Sequence, residues 1–246
     1  MRDIVSKRRD VRLTCVTVDE GIAGYRPESI DKVRALCRSL DVEHVVVSFR
    51  DETGTDMDEI SGLLGDRTPC AYCGVFRRRC LNRAAREIGA EVLATGHNLD
   101  DSAQAVLMNF TRGDVERLAR LGPHTSVQPG LIPRIAPLRQ IPEKETYLYA
   151  ILRGIDFADA TCPYWEAALR NEYRDIIDGL ESRTPGSRHS ILASYDALRP
   201  LLRDKYPQST LRMCDCGEPA PTGRCMACNM IEEIRERKRL RGESPQ

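Results

Sequence analysis

The sequence predicts an α/β fold built on a parallel sheet, and two observations carry that expectation. Short apolar runs rich in β-branched residues alternate with segments of helical periodicity. The loops after those runs hold Gly, Asp, His and Asn, where an open α/β sheet binds its ligands.

The first run, VRLTCVTVDE (residues 11–20), ends in acids before GIAGYRPES (21–29), whose glycines and proline read as a loop. Ser29 reads as the N-cap of a helix in which Ile30, Val33, Leu36, Cys37 and Leu40 recur at helical spacing. VEHVVVSF (42–49) follows as a buried strand, which completes a βαβ unit. The alternation returns with a helix through 73–89, a strand at EVLATG (91–96), and a helix over 99–113 with Ala103, Val106, Leu107 and Phe110 on one side. VDEGI and TGHNLDD both fall at carboxyl ends of strands. Residues 113–142 turn rich in Gly, Pro and Arg and read as loops and short strands, and helical patterns resume at 143–154, 165–182 and 187–206. The expected organisation is an α/β domain at 1–160, a helical region at 161–210, a small cysteine module at 211–232, and a charged tail at 233–246, a helix fraying into disorder.

Lysine plus arginine equals aspartate plus glutamate at 37 each, so no global field announces a polyanionic partner. Ten cysteines, mostly in close pairs and without an apolar leader, favour metal or redox chemistry in a reducing compartment over disulfides. No apolar run approaches the roughly 20 residues that cross a bilayer, and a soluble cytoplasmic protein is expected. With one Trp and four Phe, stacking on an aromatic platform is a poor main mode of RNA binding.

CDCGEPAPTGRCMAC brings Cys214, Cys216, Cys225 and Cys228 into two close pairs, a pattern that wraps tetrahedral zinc. The pair Cys70 and Cys73 in PCAYCGVFRRRC is less decided: half a metal site, a redox dithiol or bystander thiols all fit. Cys162, before Pro163 on a loop, could join them, and three cysteines would leave one position open on an iron–sulfur cluster. Cys80 lies about two turns from Cys73, too far to share one ion, while Cys15 and Cys37 match the core periodicity of their elements. Asp100 and Asp101 fit a helix-capping role, or a proton-handling or magnesium-binding one; His97 reads more simply as a loop histidine. Arg77, Arg78 and Arg79 cannot all face one way on a helix.

CAYCGVFRR, TGHNLDDSAQAVLMNFTRGD and CPY, in this order and followed by a cysteine knuckle, resemble the tRNA 2-thiouridine synthetases of the PP-loop ATP pyrophosphatase superfamily, in the cytosolic and archaeal branch that thiolates the wobble uridine. The resemblance implies a Rossmann-like adenine-nucleotide hydrolase domain. It implies that ATP, with Mg2+, adenylates the C2 oxygen of a tRNA uridine and that sulfur then displaces AMP. Residue by residue, Cys70, Cys73 and Cys162 match the ligands of a [4Fe-4S] cluster with one iron left free for a hydrosulfide, and Arg77 would meet phosphates or the charge on the activated base. Asp101 matches the catalytic acid. Val18, Asp19, Gly96 and His97 would border the nucleotide. The resemblance also implies a ubiquitin-like carrier with a C-terminal thiocarboxylate as sulfur donor, and a homodimer or heterodimer is compatible with it.

The family's SGGKDS phosphate loop and N-terminal zinc module are not in the sequence, which has ten residues before VRLTCVTVDE. A truncated form of a complete enzyme is the expected explanation, because CAYC, Cys162 and HNLDD all remain. The alternative is a cluster- or zinc-bearing tRNA-binding accessory subunit without catalysis. A cluster-free enzyme with a persulfide on Cys70 or Cys162 is a third reading.

Overall fold

The computed structural model describes residues 7–8, 10–65, 67–122, 128–207 and 209–242. The start of the chain at 1–6, positions 123–127 of the Gly/Pro/Arg-rich stretch and the last residues of the expected tail, 243–246, lie outside the described residues. In chain order the elements are β1 (Thr14–Asp19), α1 (Arg26–Ser39), β2 (Glu43–Ser48), α2 (Phe49–Thr53), α3 (Met57–Gly62), α4 (Pro69–Glu87), β3 (Leu93–Ala94), α5 (Leu99–Thr111), α6 (Val115–Ala119), β4 (Arg134–Ile135), α7 (Glu143–Leu152), a 3-10 turn (Trp165–Ala167), α8 (Arg170–Arg183), α9 (Ser187–Lys205), β5 (Arg212–Met213), β6 (Pro219–Ala220) and α10 (Met226–Leu240). They form two compact units: Met1–Ile88, Ala150–Ala167 and Arg224–Gln246 in the first, Gly89–Tyr149 and Ala168–Gly223 in the second.

In the first unit β1 and β2 pair in parallel, from Thr14 opposite Glu43 to Asp19 opposite Ser48, with α1 as the crossover. This is the expected βαβ unit. Ser29, however, is not the cap. Tyr25 holds that place, and Arg26 and Pro27 already lie in the first turn, where the fixed φ of proline is pre-set for a helix. Ser29 sits inside the helix and gives its hydroxyl to the Arg26 carbonyl at 3.3 Å. After β2 the chain makes two single-turn helices that no periodicity announces. Ser48 and Asp56 cap them, accepting from Asp51 N and Glu59 N at 3.0 and 2.9 Å.

Helix α4 starts at Pro69, ahead of the expected 73, because proline again suits a first turn. CAYC is therefore helical. Tyr72, Phe76, Cys80 and Ala84, spaced by four, are all buried, and Phe76 meets Phe49 edge-on with centroids 5.7 Å apart. Large side chains buried this way contribute about 1.5–3 kcal/mol each. Helix α10 lies along α4 and buries Ala227, Met230 and Ile234. Arg237 Nη1 donates to the Leu63 carbonyl at 2.9 Å, and a Cβ at Gly65 would collide with the Arg237 guanidinium. Cys37 is in the core as expected, its thiol pushed up to about 11 by burial and then by Cys15, which is only half-buried.

In the second unit β3 and β4 pair in parallel, and the ladder continues as Leu93 N to Pro133 O at 2.8 Å and Thr95 N to Ile135 O at 3.0 Å. Helices α5, α6 and α9 close over Leu99, Leu118, Leu192 and Tyr195. The Tyr195 hydroxyl lies 2.9 and 2.8 Å from the Leu118 and Leu121 carbonyls. Phe110 does not line this core as expected. The cluster reaches only to Val106, so Phe110 one turn further on is left 68% exposed. At 212–220, β5 and β6 form a small antiparallel hairpin. No helix among the described residues is long and apolar enough to cross a membrane.

Glu59 fastens α10 to α3, its carboxylate meeting Lys238 Nζ at 2.8 Å, Arg50 Nη2 at 2.5 Å and Thr55 Oγ1 at 2.9 Å. Lys238 first, with Arg50 and Thr55 behind it and burial opposing, lowers the Glu59 carboxyl to about 2. A depressed carboxyl stabilises the fold above its ordinary value and loses that contribution as pH falls towards the folded one. The stability gap between wild type and Glu59→Gln is therefore expected to shrink between about pH 4.5 and pH 2 in urea titrations. A gap that is constant with pH would contradict the pairing.

Candidate functional site

The first turn of α4 carries Cys70 and Cys73, and the loop before the 3-10 turn carries Cys162, all in the first unit. Local contacts fix that loop. Trp165 N donates to the Cys162 carbonyl at 3.0 Å, Cys70 Sγ lies 3.8 Å from the Tyr164 carbonyl, and the Tyr164 hydroxyl meets Asp58 Oδ1 at 2.7 Å and Ser61 Oγ at 3.0 Å on α3. Burial raises the Cys70 thiol, Cys162 adds to the rise and Arg77 opposes it. Burial pushes Cys73 up to about 11, with Arg77 opposing and Glu20, Cys70 and Cys162 adding. The three sulfurs thus feel one another's charge. Half-buried sulfurs placed within reach of one another's charge suit a soft metal centre, which stabilises their thiolate forms.

Arg77 stands one turn from Cys73, with Nη2 3.4 Å from its sulfur and 2.6 Å from Glu20 Oε1. Burial works against the Arg77 charge, but Cys73 and Glu20 outweigh it and hold the guanidinium above its ordinary range. The Glu20 side chain is 1% exposed and pairs with Arg26 through its other oxygen. Arg26 Nε also reaches the Val18 carbonyl at 3.2 Å, Asp19 Oδ1 accepts from Gly21 N at 2.9 Å, and Met57 N donates to the Glu20 carbonyl at 2.8 Å. The carbonyl of Val18 and the carboxylate of Asp19 are thus engaged in holding the turn after β1. Of the three arginines, Arg78 is exposed, Arg77 half-exposed towards Glu20, and Arg79 buried.

In the second unit Asp101 is the third helical residue of α5 and closes a capping box with Asn98, at 3.1 and 2.9 Å. Its Oδ1 accepts from Arg170 Nη1 at 2.7 Å. Asp100 is buried and structural: it pairs with Arg188 at 2.6 Å and accepts from Glu143 N at 2.7 Å. His97 is exposed, its Nδ1 2.9 Å from Thr95 Oγ1, and nothing lies within 4 Å of a Cβ built at Gly96.

Glu20, Arg26 and Arg170 were not singled out from sequence. For Glu20 a signal existed: an acid directly after a β-branched strand, with arginines six positions on in GYR and in the RRR of the cysteine helix.

The knuckle gathers the sulfurs of Cys214, Cys216, Cys225 and Cys228 within 4.8 Å of one another. Cys214 N bonds to Glu218 O at 2.9 Å, and Cys225 caps α10 by accepting from Cys228 N at 3.4 Å. Four thiols this close fit one tetrahedral ion. Arg79 brings Nη1 to 4.0 and 3.9 Å of Cys225 and Cys228, a positive charge suited to thiolates.

A family model for the PP-loop domain matches residues 2–180. The tRNA 2-thiolation protein NcsA of Haloferax volcanii is 40% identical over 243 residues, 91% of this chain and 74% of that protein. The chain belongs to this PP-loop family of tRNA 2-thiolation proteins. The cytoplasmic tRNA 2-thiolation protein 1 of Aspergillus niger is 36% identical over 92% of this chain, which spans 66% of that protein. Among solved structures, the U34-tRNA thiolase NcsA from Methanococcus maripaludis, with its [4Fe-4S] cluster, superposes with a TM-score of 0.78 at 38% identity, over 93% of this chain and 72% of that one. The parallel α/β fold is that of the family.

Removing one partner of a fully buried ion pair costs about 3–5 kcal/mol. Glu20→Gln is expected to cost less, about 2 kcal/mol in urea unfolding, because Arg77 is half-exposed and can turn to solvent. A change under about 0.5 kcal/mol would show that Glu20 does not hold the two arginines.

Proposed function

We propose that the chain is a tRNA-uridine 2-sulfurtransferase acting on the wobble uridine. The observation that carries the reading is that Cys70, Cys73 and Cys162 lie in one unit near enough for Cys70 and Cys73 each to feel the charge of Cys162, with Arg77 beside Cys73. Three half-buried soft donors with a fixed cation at their edge suit an iron–sulfur cluster better than a redox dithiol, since partial burial raises Cys70 and Cys73 where a reactive thiol needs a lowered value. Family membership and the cluster named with the Methanococcus relative support it. When bound, such a cluster supplies an iron position that no protein thiolate fills, where sulfur can be held for transfer.

Val18, Asp19, Gly96 and His97 would border ATP carried with Mg2+. The uridine C2 oxygen attacks the α-phosphorus, pyrophosphate leaves, and the activated carbon then takes sulfur while AMP departs with the oxygen. Asp101, oriented by Arg170, manages the proton of the uridine, and Arg77 offsets negative charge on the leaving phosphate. The knuckle holds zinc as a structural ion. Sulfur arrives on a ubiquitin-like carrier's C-terminal thiocarboxylate, and the working form is a homodimer or heterodimer. The cytoplasm is its compartment.

Nucleoside mass spectrometry of tRNA from cells lacking the gene for this chain tests the proposal. 2-Thiouridine is expected to vanish from position 34, to return with the wild-type gene and to stay absent with Cys73→Ser. Undiminished 2-thiouridine in the deletion would refute it.

A further inference from the structure

Helix α9 buries Leu192 and Tyr195 against α5 and turns its next charged residues to a recess. Arg139, on the loop between β4 and α7, and Asp196, Arg199, Pro200 and Arg203 line a cavity of about 420 Å³, all in the second unit. The Asp196 carboxylate in this lining is already engaged: Arg139 Nη1 and Nη2 donate to its two oxygens at 2.7 and 2.6 Å. Arg199 and Arg203, one turn apart, add two further guanidiniums to the same recess. Burial holds Arg199 below the ordinary arginine range, and Arg203 and Arg139 press the same way. The buried Nε of Arg203 meets no acceptor among the described residues. The Tyr195 hydroxyl beneath is already satisfied by backbone carbonyls.

We infer that the recess is an anion site and that it takes a phosphodiester of the RNA backbone. Guanidinium forks match phosphate oxygens, and an anion there would offset the crowding of like charge. Among the described residues no aromatic ring or side-chain amide lines the recess to read a base or an adenine, so its chemistry is that of a backbone contact. The same helix packs on α5, whose first turn presents Asp101, so a phosphate held here would register RNA against that helix. The RNA assignment rests on the tRNA reading above.

The test is binding of unmodified tRNA to the full chain over a range of KCl, compared with Arg199→Gln/Arg203→Gln and with ATP affinity measured on the same proteins. The double variant is expected to bind tRNA about tenfold more weakly, with the slope of log K against log salt reduced by about one, and to keep its ATP affinity. Arg203→Lys, which keeps the charge without the fork, checks that the fold survives substitution and is expected to retain the slope. Wild type that binds no tRNA would overturn this site and the tRNA reading together. Wild-type binding that both variants match would overturn the site alone. Loss of ATP affinity with tRNA affinity intact would give the recess to a free nucleotide and overturn the RNA assignment.

Discussion

A buried carboxylate at the end of the first strand decides how the first unit is assembled. Glu20 forms ion pairs with Arg26 from α1 and Arg77 from α4, so one acid sets both helices at the carboxyl end of the parallel pair. Burying a carboxylate with 1% of its side chain exposed is costly without partners, and the two guanidiniums offset that cost. The arrangement also leaves Arg77 with little freedom, and its position 3.4 Å from the Cys73 sulfur follows. Chemistry that needs a cation beside buried sulfur gets one already oriented.

Helix α4 extends that constraint. Its first turn holds two thiols, its middle is anchored by Tyr72, Phe76 and Cys80, and Arg79 turns the other way towards Cys225 and Cys228. Arginines two positions apart on one helix thus attend different cysteines of the first unit, Arg77 beside Cys73 and Arg79 beside Cys225 and Cys228. The contrast between these sets is chemical. The knuckle sulfurs meet as closely as one ion requires, whereas Cys70, Cys73 and Cys162 are not gathered to that spacing among the described residues. Ligands spread over separate irons do not need it.

The βαβ unit, the long helices and the four-cysteine knuckle were legible because period and spacing report them directly. Helices α2, α3 and α6 were not, since one turn carries no period, and the start of α1 was misplaced because Ser29 is a good cap in isolation while Arg26 and Pro27 begin the helix earlier. Phe110 fits the apolar stripe of α5, yet stripe membership says nothing about where the covering helices end. At the site, residue types that signal chemistry by themselves, thiols in pairs, were readable. Glu20 and Arg170 act through partners distant in sequence, and only the fold brings those partners together. Asp101 shows the limit from the other side: a helix cap and a catalytic acid ask for the same residue at the same place.

The most direct measurement is the iron and acid-labile sulfide content of chain purified without oxygen, for wild type and Cys162→Ala. Wild type should carry about four irons and four sulfides per chain in addition to zinc, and Cys162→Ala should lose iron and sulfide while keeping zinc. Zinc alone in the wild type, or a full complement of iron and sulfide retained in Cys162→Ala, would contradict a cluster held by Cys70, Cys73 and Cys162.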